Sequence, residues 1–432
     1  MTILILNPPY KERMVKEGRC QQKPELLQTI YPSLESAYLA AILRKKLSVD
    51  ILDCIADGCN KAKLISFYSK EKPDKVFVNT STQTINNDLK IIKELNHIHP
   101  SKFILFGVYA KYFRKKISKI KNITVPNDIK EYAYNFIGEG FDPGNLDKLP
   151  FPAWDLINLK NYRLPITAEK FVLIQTATGC PYECIFCTVP FYHGKKIVKR
   201  SVDSVIREIE YVKKLGVNNI IFFADNFTLD KNWVKELCRE IIHKKIKIKF
   251  LCNSRVDYID KGLVELMKKA GCWIISFGIE SGNQRLLDSS KKGIRIEDSI
   301  KAISLTNKEG ILTLGNFVFG LPGENKDTIK KTISFANKIG LDFAAFNIAT
   351  PFPGSALYET YKNEAFDWEK LQYSSQVICL DINLEYWQKK AYRTFYSKRP
   401  IRRLLRIVKI AGVKNPLWVF KSAFNLLFRV LF

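Results

Sequence analysis

From residue 171 onward the chain repeats one pattern six times: a short apolar run, a loop, then a longer stretch of helical periodicity. The runs are FVLIQTA (171–177), NNIIFFAD (218–225), IKIKFLCNS (246–254), WIISFGIE (273–280), LTLGNFVFG (312–320) and DFAAFNIAT (342–350). Short, largely apolar runs spaced by helix-length segments suit parallel strands covered by crossover helices. The best marked helix, DSVIREIEYVKKLG (203–216), places Val205, Ile206, Ile209 and Val212 on one stripe. Eight such units would close a barrel, whereas six leave it open. The pattern therefore predicts an open (β/α)6 barrel, with its chemistry at the carboxyl ends of the strands.

The first 140 residues use the same alternation for a different product. TILIL (2–6), VDILD (49–53), KVFVN (75–79) and FILFG (103–107) read as strands, with helices over SLESAYLAAILRKK (33–46) and near 84–97. Leu34, Tyr38, Ala41 and Ile42 share a face of the first helix. This α/β pattern predicts a Rossmann-like, doubly wound parallel sheet with ligand loops at its strand ends. FDPGNLDKLPFPAW (141–154) reads as a linker. The expected organisation is a Rossmann-like domain over 1–141, a connector over 142–170, the barrel over 171–370 and a C-terminal helical extension over 371–432.

Directly after the first barrel strand stands TGCPYECIFC (178–187), with Cys180, Cys184 and Cys187 inside eight positions. A structural zinc site or a self-contained cluster wants four protein ligands, so three leave one corner open. Spacing alone also admits buried thiols, or three zinc ligands completed by His193. Gly179 and Pro181 mark the segment as loop, and CxxxCxxC before a histidine is not a usual zinc spacing. A [4Fe–4S] cluster held by three thiolates fits better. The N-terminus has no secretory pattern, so ten cysteines point to a reducing, cytoplasmic compartment. Cys20, Cys54, Cys59, Cys238, Cys252, Cys272 and Cys379 read mostly as ordinary thiols, and the four histidines (97, 99, 193, 243) show no acid–base arrangement.

These motifs resemble the radical S-adenosylmethionine (radical SAM) superfamily, in its cobalamin-binding-domain branch. The likeness rests on the cysteine triplet with Phe186 before its last member, and on FFADNFT, CNSRVD, MKKAGCWIISFGIESG, FVFGLPGEN and TPFPGSALYE at successive strand ends. The resemblance implies that SAM chelates the open iron through its amine and carboxylate. An electron from the cluster would then cleave the S–C5′ bond, and the 5′-deoxyadenosyl radical would abstract a substrate hydrogen. Carried over residue by residue, it implies that Phe186 contacts the adenine. Ala224, Asp225 and Asn226 stand where a Gly-Gly-Glu-like segment usually meets the methionyl amine, so backbone contacts are expected there. Glu280 and Ser281 would reach the ribose or methionyl end, and Arg255 the carboxylate. A low-potential electron donor of flavodoxin or ferredoxin type is implied as partner.

NPPY, YPSLESAYLAAIL, VDILD and LPFPAWDL in the first half resemble the cobalamin-binding domain of that branch. Histidine-ligated cobalamin proteins carry DxHxxG; here Asp53 and Gly58 are kept, with Ile55 at the histidine position. GVYA (107–110) replaces the commoner paired glycines and histidine, and a helical segment usual after IGEG (137–140) is missing. The resemblance implies either cobalamin, with Thr80, Ser81, Gly107 and Gly140 lining the corrin face, or a retained shell without it. With cobalamin, the implied reaction is methyl transfer to an unactivated carbon of a small-molecule or lipid substrate, consuming two SAM molecules. Without it, the implied reaction is C–C coupling, cyclisation or rearrangement. A non-enzymatic iron–sulfur protein is a third reading, disfavoured because an electron carrier needs no SAM motifs.

The net charge of +26 invites a nucleic-acid partner, but its distribution argues against one. No acidic residue follows Glu385, while twelve Lys and Arg lie between Lys389 and Arg429. SKRPIRRLLRIVKI (397–410) puts Ile401, Leu404, Leu405 and Val408 on one face and Arg402, Arg406 and Lys409 on another. PLWVFKSAFNLLFRVLF (416–432) is apolar but short and interrupted for a membrane span. Such a tail suits peripheral contact with the inner face of an anionic membrane, or a helical pair packed on the barrel.

Overall fold

The computed structural model describes residues 1–17, 21–24, 29–378, 380–398 and 400–412. It divides into two compact units. One comprises Met1–Tyr162 with Phe352–Gly354 and Ala365–Gln372; the other comprises Arg163–Pro351, Ser355–Glu364 and the chain from Tyr373 on.

In the first unit, β1 (Thr2–Asn7), β2 (Ser48–Asp53), β3 (Lys75–Asn79), β4 (Lys102–Phe106) and β5 (Ile123–Thr124) form a parallel sheet in the order β2-β1-β3-β4-β5. Ile3, Leu4, Ile5 and Leu6 are all buried, as apolar strands covered on both faces require. The chain's progress reverses between β1 and β3, which makes their carboxyl ends the ligand edge of this doubly wound sheet. The helix Leu34–Leu43 starts on Ser33, whose side chain accepts a hydrogen bond from the Ser36 amide. The helix Lys61–Glu71 leaves little trace in the sequence, because it buries only Leu64 and Tyr68 and so carries a weak stripe. Residues 142–162 of the expected connector pack with this unit. Trp154 is buried, the Ala153 amide donates to Ala37 O at 2.9 Å, and the Tyr162 hydroxyl donates to Asp53 Oδ2 at 2.6 Å.

In the second unit, β6 (Phe171–Gln175) is followed by a short antiparallel ribbon of β7 (Ala177–Thr178) and β8 (Val198–Lys199). Then come β9 (Asn219–Phe223), β10 (Lys249–Ser254), β11 (Cys272–Glu280), β12 (Leu312–Phe319) and β13 (Phe343–Ile348). Apart from the ribbon these strands form one parallel sheet, with β6, β9, β10, β11, β12 and β13 neighbours in that order. All six expected barrel strands are present. The helix Val202–Lys214 buries Val205, Ile206, Ile209 and Val212, the stripe read from the sequence.

The sheet stays open at β13 for a visible reason. Its outer edge is met by the helix Leu384–Ser397, where the Tyr392 hydroxyl accepts from the Phe346 amide at 3.1 Å. Tyr396 donates to Ala344 O at 3.0 Å, and the Gln388 amide donates to Phe346 O at 2.6 Å. An edge strand whose polar groups are satisfied by side chains has no need of a further strand.

Candidate functional site

The three cysteines lie in the loop between β7 and β8, just past the carboxyl end of β6. Gly179 opens that loop at φ +89°, and a Cβ there would lie 2.0 Å from Lys196 O, so the ribbon admits only glycine. The Gly179 amide donates to Asp225 Oδ2 at 2.8 Å, and the Cys180 amide donates to Gly194 O at 3.1 Å. The Ile185 amide donates to Ser290 O at 3.1 Å, and the Cys187 amide closes a turn onto Cys184 O at 3.0 Å. None of the three is in a disulfide, and all are half-buried. Among the described residues no three His, Cys, Asp or Glu side chains share a single-ion position. Thiolates on different irons of a cluster need not do so.

Charge around the loop suits an anionic cluster. Burial pushes the Cys184 thiol up, while Lys292 and Arg255 pull in the opposite direction. Lys292 is buried and donates to Glu280 Oε1 at 2.6 Å. Arg255, also buried, clasps Asp257 through Nε at 3.0 Å and Nη2 at 2.9 Å. It further donates to Lys292 O at 2.8 Å and Gly293 O at 3.0 Å. Its guanidinium carbon stacks 3.6 Å over the ring of Tyr182, inside the cysteine loop. Burial opposes the charge, but Asp257 more than offsets it and Arg255 titrates above its usual range. The Tyr182 hydroxyl lies 2.7 Å from that of Tyr258. Arg255 is thus committed to the cysteine loop and to the 292–293 turn.

Glu280 ends β11 in the left-handed region, at φ +65°, where the pairing of β11 with β12 slips. A non-glycine residue held there stores roughly 1–3 kcal/mol of strain and recurs at functional sites. A Cβ on Gly278 would lie 2.6 Å from Glu280 Oε1 and 2.7 Å from Lys292 Nζ, so that glycine makes room for the pair. Ser281 points elsewhere: its hydroxyl lies 3.2 Å from that of Thr332 and accepts from the Asn283 amide at 3.1 Å. Phe186 packs with Leu286, Val318, Leu321 and Leu357, an apolar wall fit for a flat aromatic ring.

The Ala224-Asp225-Asn226 segment follows β9. Ala224 is buried, and Asp225 joins the Gly179 amide to the His193 ring, whose Nδ1 is 2.8 Å away. His193 is therefore engaged by Asp225. Asn226 Oδ1 accepts from the Arg255 amide at 3.4 Å, while its Nδ2 is buried with no partner. Asn226 lines a cavity of about 550 Å³ with Thr176, Lys199 and Trp233. An unmet donor at a strand end suits a ligand acceptor. GLPGEN has a structural role of its own, since the Glu324 carboxylate accepts from the Gly320 amide and Asn325 caps the helix Lys326–Lys338.

In the first unit, Thr80 and Ser81 stand at the end of β3, and both are fully buried. The Thr80 hydroxyl donates to Asp88 Oδ2 at 2.8 Å, and that of Ser81 lies 3.1 Å from Thr84 Oγ1. Lys16 completes the group with bonds to Asp88 Oδ2 at 3.2 Å and Asn79 O at 3.1 Å. Gly107, at φ +120°, faces Thr80 O, which a Cβ would meet at 2.1 Å. A Cβ on Gly140 would meet nothing within 4 Å. Asp53 accepts from Asn7 Nδ2 at 2.8 Å and from the Ile55 and Ala56 amides at 3.1 Å, and Ile55 is buried.

Residues 174–336, which span the cysteine loop, Glu280 and Lys292, match the family profile described as the Radical SAM superfamily. This stretch of the chain is a radical SAM domain. The protein is a radical SAM enzyme, of the kind that works with a [4Fe–4S] cluster and SAM. An uncharacterized methyltransferase of Pyrococcus horikoshii is 27% identical, over 94% of this chain and 98% of that protein. The anaerobic magnesium-protoporphyrin IX monomethyl ester cyclase of Cereibacter sphaeroides is 27% identical over 81% of this chain, which spans 63% of its length. The bacteriochlorophyllide d C-12(1)-methyltransferase of Chlorobaculum tepidum is 30% identical, over 47% of this chain and 45% of that protein.

Two solved structures share the fold. The radical SAM methyltransferase TsrM of Kitasatospora setae, with cobalamin and a [4Fe–4S] cluster bound, gives a TM-score of 0.62 at 17% identity, covering 85% of this chain and 79% of that one. The cobalamin-dependent radical SAM enzyme OxsB, with aqua-cobalamin and SAM bound, gives 0.69 at 14% identity, covering 100% of this chain and 72% of that one. Lys292, Tyr182, Asp257 and Tyr258 were missed by sequence reasoning. No spacing rule links them to the cysteines, and only the fold brings them there.

Proposed function

We propose that this radical SAM enzyme is a cobalamin-dependent methyltransferase acting on an unactivated carbon of a small-molecule or lipid substrate. The observation that carries the reading is the pairing, in one chain, of a three-cysteine barrel loop with a doubly wound sheet. Full-length likeness to a protein named as a methyltransferase supports it. Cys180, Cys184 and Cys187 would hold the cluster. Phe186, the backbone of 224–226, the Asn226 amide and Glu280 would hold SAM, with Arg255 and Ser281 positioning them. When bound, these groups supply a low-potential electron, a radical source and a methyl carrier.

The first unit fits a corrin held by shape. Thr80 and Ser81 would meet it through their backbone, because their hydroxyls are already bonded within the unit. Gly140 has open space, and buried Ile55 would offer no ligand to cobalt. A low-potential flavodoxin- or ferredoxin-type donor would supply electrons, and a peripheral position at the inner membrane face suits the basic tail.

The test is anaerobic reconstitution with hydroxocobalamin, then dithionite and methyl-labelled SAM. Cobalt retained through gel filtration and label in a small-molecule or lipid fraction are expected. A second reading, a cyclase without methyl transfer, draws on the likeness to the monomethyl ester cyclase. Cobalt-free protein that forms 5′-deoxyadenosine without moving label would favour it and sink methyl transfer.

A further inference from the structure

The helix Pro400–Ala411 is oriented against the usual rule for a surface helix, which turns its apolar stripe inward. Here Arg406 points into the second unit. Its Nε donates to Asp342 Oδ1 at 2.8 Å, and its Nη2 to Asn307 Oδ1 at 2.9 Å and Ile311 O at 3.2 Å. The Arg403 guanidinium carbon lies 3.8 Å over the ring of Phe395. Lys249 Nζ donates to Ala411 O at 2.6 Å and holds the other end of the helix. Leu404 and Ile407 are only partly covered.

Outside, Ile401, Leu405 and Val408 stand one above another at helical spacing, 72%, 65% and 38% exposed. Exposed Arg402 and Lys409 flank this line on one side, and exposed Lys398 precedes it. The orientation is fixed by charge: turning the stripe inward would strand the buried carboxylate of Asp342 without its arginine.

We propose that this outward face is a docking surface for an anionic lipid bilayer. The aliphatic line enters the boundary between headgroups and acyl chains, and Arg402, Lys409 and Lys398 meet the lipid phosphates. The charge balance selects this partner. After Glu385 the chain has twelve Lys and Arg and no acidic residue, so a second copy of it would meet repulsion. An anionic surface is complementary. The inference rests on the peripheral membrane position proposed above and is independent of methyl transfer.

The experiment is flotation of the full chain with vesicles of phosphatidylcholine and phosphatidylglycerol, against pure phosphatidylcholine, at low and high salt. The full chain is expected to float only with the anionic vesicles and to be released by salt. The combined substitution Ile401→Asn, Leu405→Asn, Val408→Asn is expected to lower the bound fraction about tenfold or more, with an unchanged melting curve. Arg402→Gln with Lys409→Gln should weaken binding and flatten its salt dependence.

If the triple variant floats like the parent, this face is not the docking surface, and the peripheral position then rests on residues 413–432. A full chain that ignores anionic vesicles overturns both readings. A parent dimer that becomes a monomer in the triple variant, with no vesicle binding by either, assigns the face to a second copy and overturns the proposal.

Discussion

Cys184→Ala is expected to abolish SAM cleavage and to remove most of the iron. Of the three cysteines, Cys184 is the one whose surroundings say most. Its thiol is held in a loop pinned by Ser290 and stacked through Tyr182 on Arg255, with Lys292 also nearby. A cluster with only two thiolates loses the geometry that leaves one iron open, so a graded effect is not expected. Iron should fall from about four per chain towards background. Formation of 5′-deoxyadenosine should fall by about a thousandfold or more, a barrier change of roughly 4 kcal/mol. Cys180→Ala and Cys187→Ala should behave alike. Cys238→Ala and Cys252→Ala are the controls, since both thiols are buried, one on the helix Lys231–His243 and one on β10, outside the 178–187 segment, and both variants should keep their iron. Iron and nucleoside analysis of the five proteins checks this. Full iron in Cys184→Ala would mean that the ligands are elsewhere.

Lys292→Met carries the second large effect. The ammonium neutralises a buried carboxylate on a strained residue, Glu280 at φ +65°. Removing one partner of a buried pair leaves the other charge uncompensated, which costs about 3–5 kcal/mol. The melting temperature should drop, and SAM affinity should fall by roughly two orders of magnitude as Glu280 leaves its position. The double substitution Lys292→Met with Glu280→Gln separates two roles for the pair. It removes both charges, so most of the stability should return. SAM binding should not return, because the carboxylate that would meet the ligand is gone. Calorimetry for stability and equilibrium dialysis with SAM give the two readouts. If the double variant binds SAM like the parent, Glu280 is a structural residue and not a ligand.

What the sequence made legible was local. Six apolar runs at regular spacing announce six strands, and the CxxxCxxC spacing of Cys180, Cys184 and Cys187 marks the loop after the first of them, because both signals lie within a few residues. What it hid was pairing at a distance. Lys292 is one lysine among many until the fold sets it beside Glu280, and Asp257 gains meaning only when it clasps Arg255. The β7–β8 ribbon is two residues on each side, too short for any alternation to register. The hydroxyls of Thr80 and Ser81 look available in the sequence, yet in the fold they are bonded within their own loop, around a buried Asp88. The inward turn of Arg406 depends on Asp342, 64 positions earlier, which helical periodicity has no means of seeing.

Three thiolates on a four-iron cluster would leave one iron for SAM. Electron paramagnetic resonance of the dithionite-reduced, anaerobically reconstituted enzyme, recorded with and without SAM, tests it most directly. A four-iron signal whose g-values shift when SAM is added is expected, because the ligand enters the open coordination position. A four-iron spectrum unchanged by saturating SAM would contradict it.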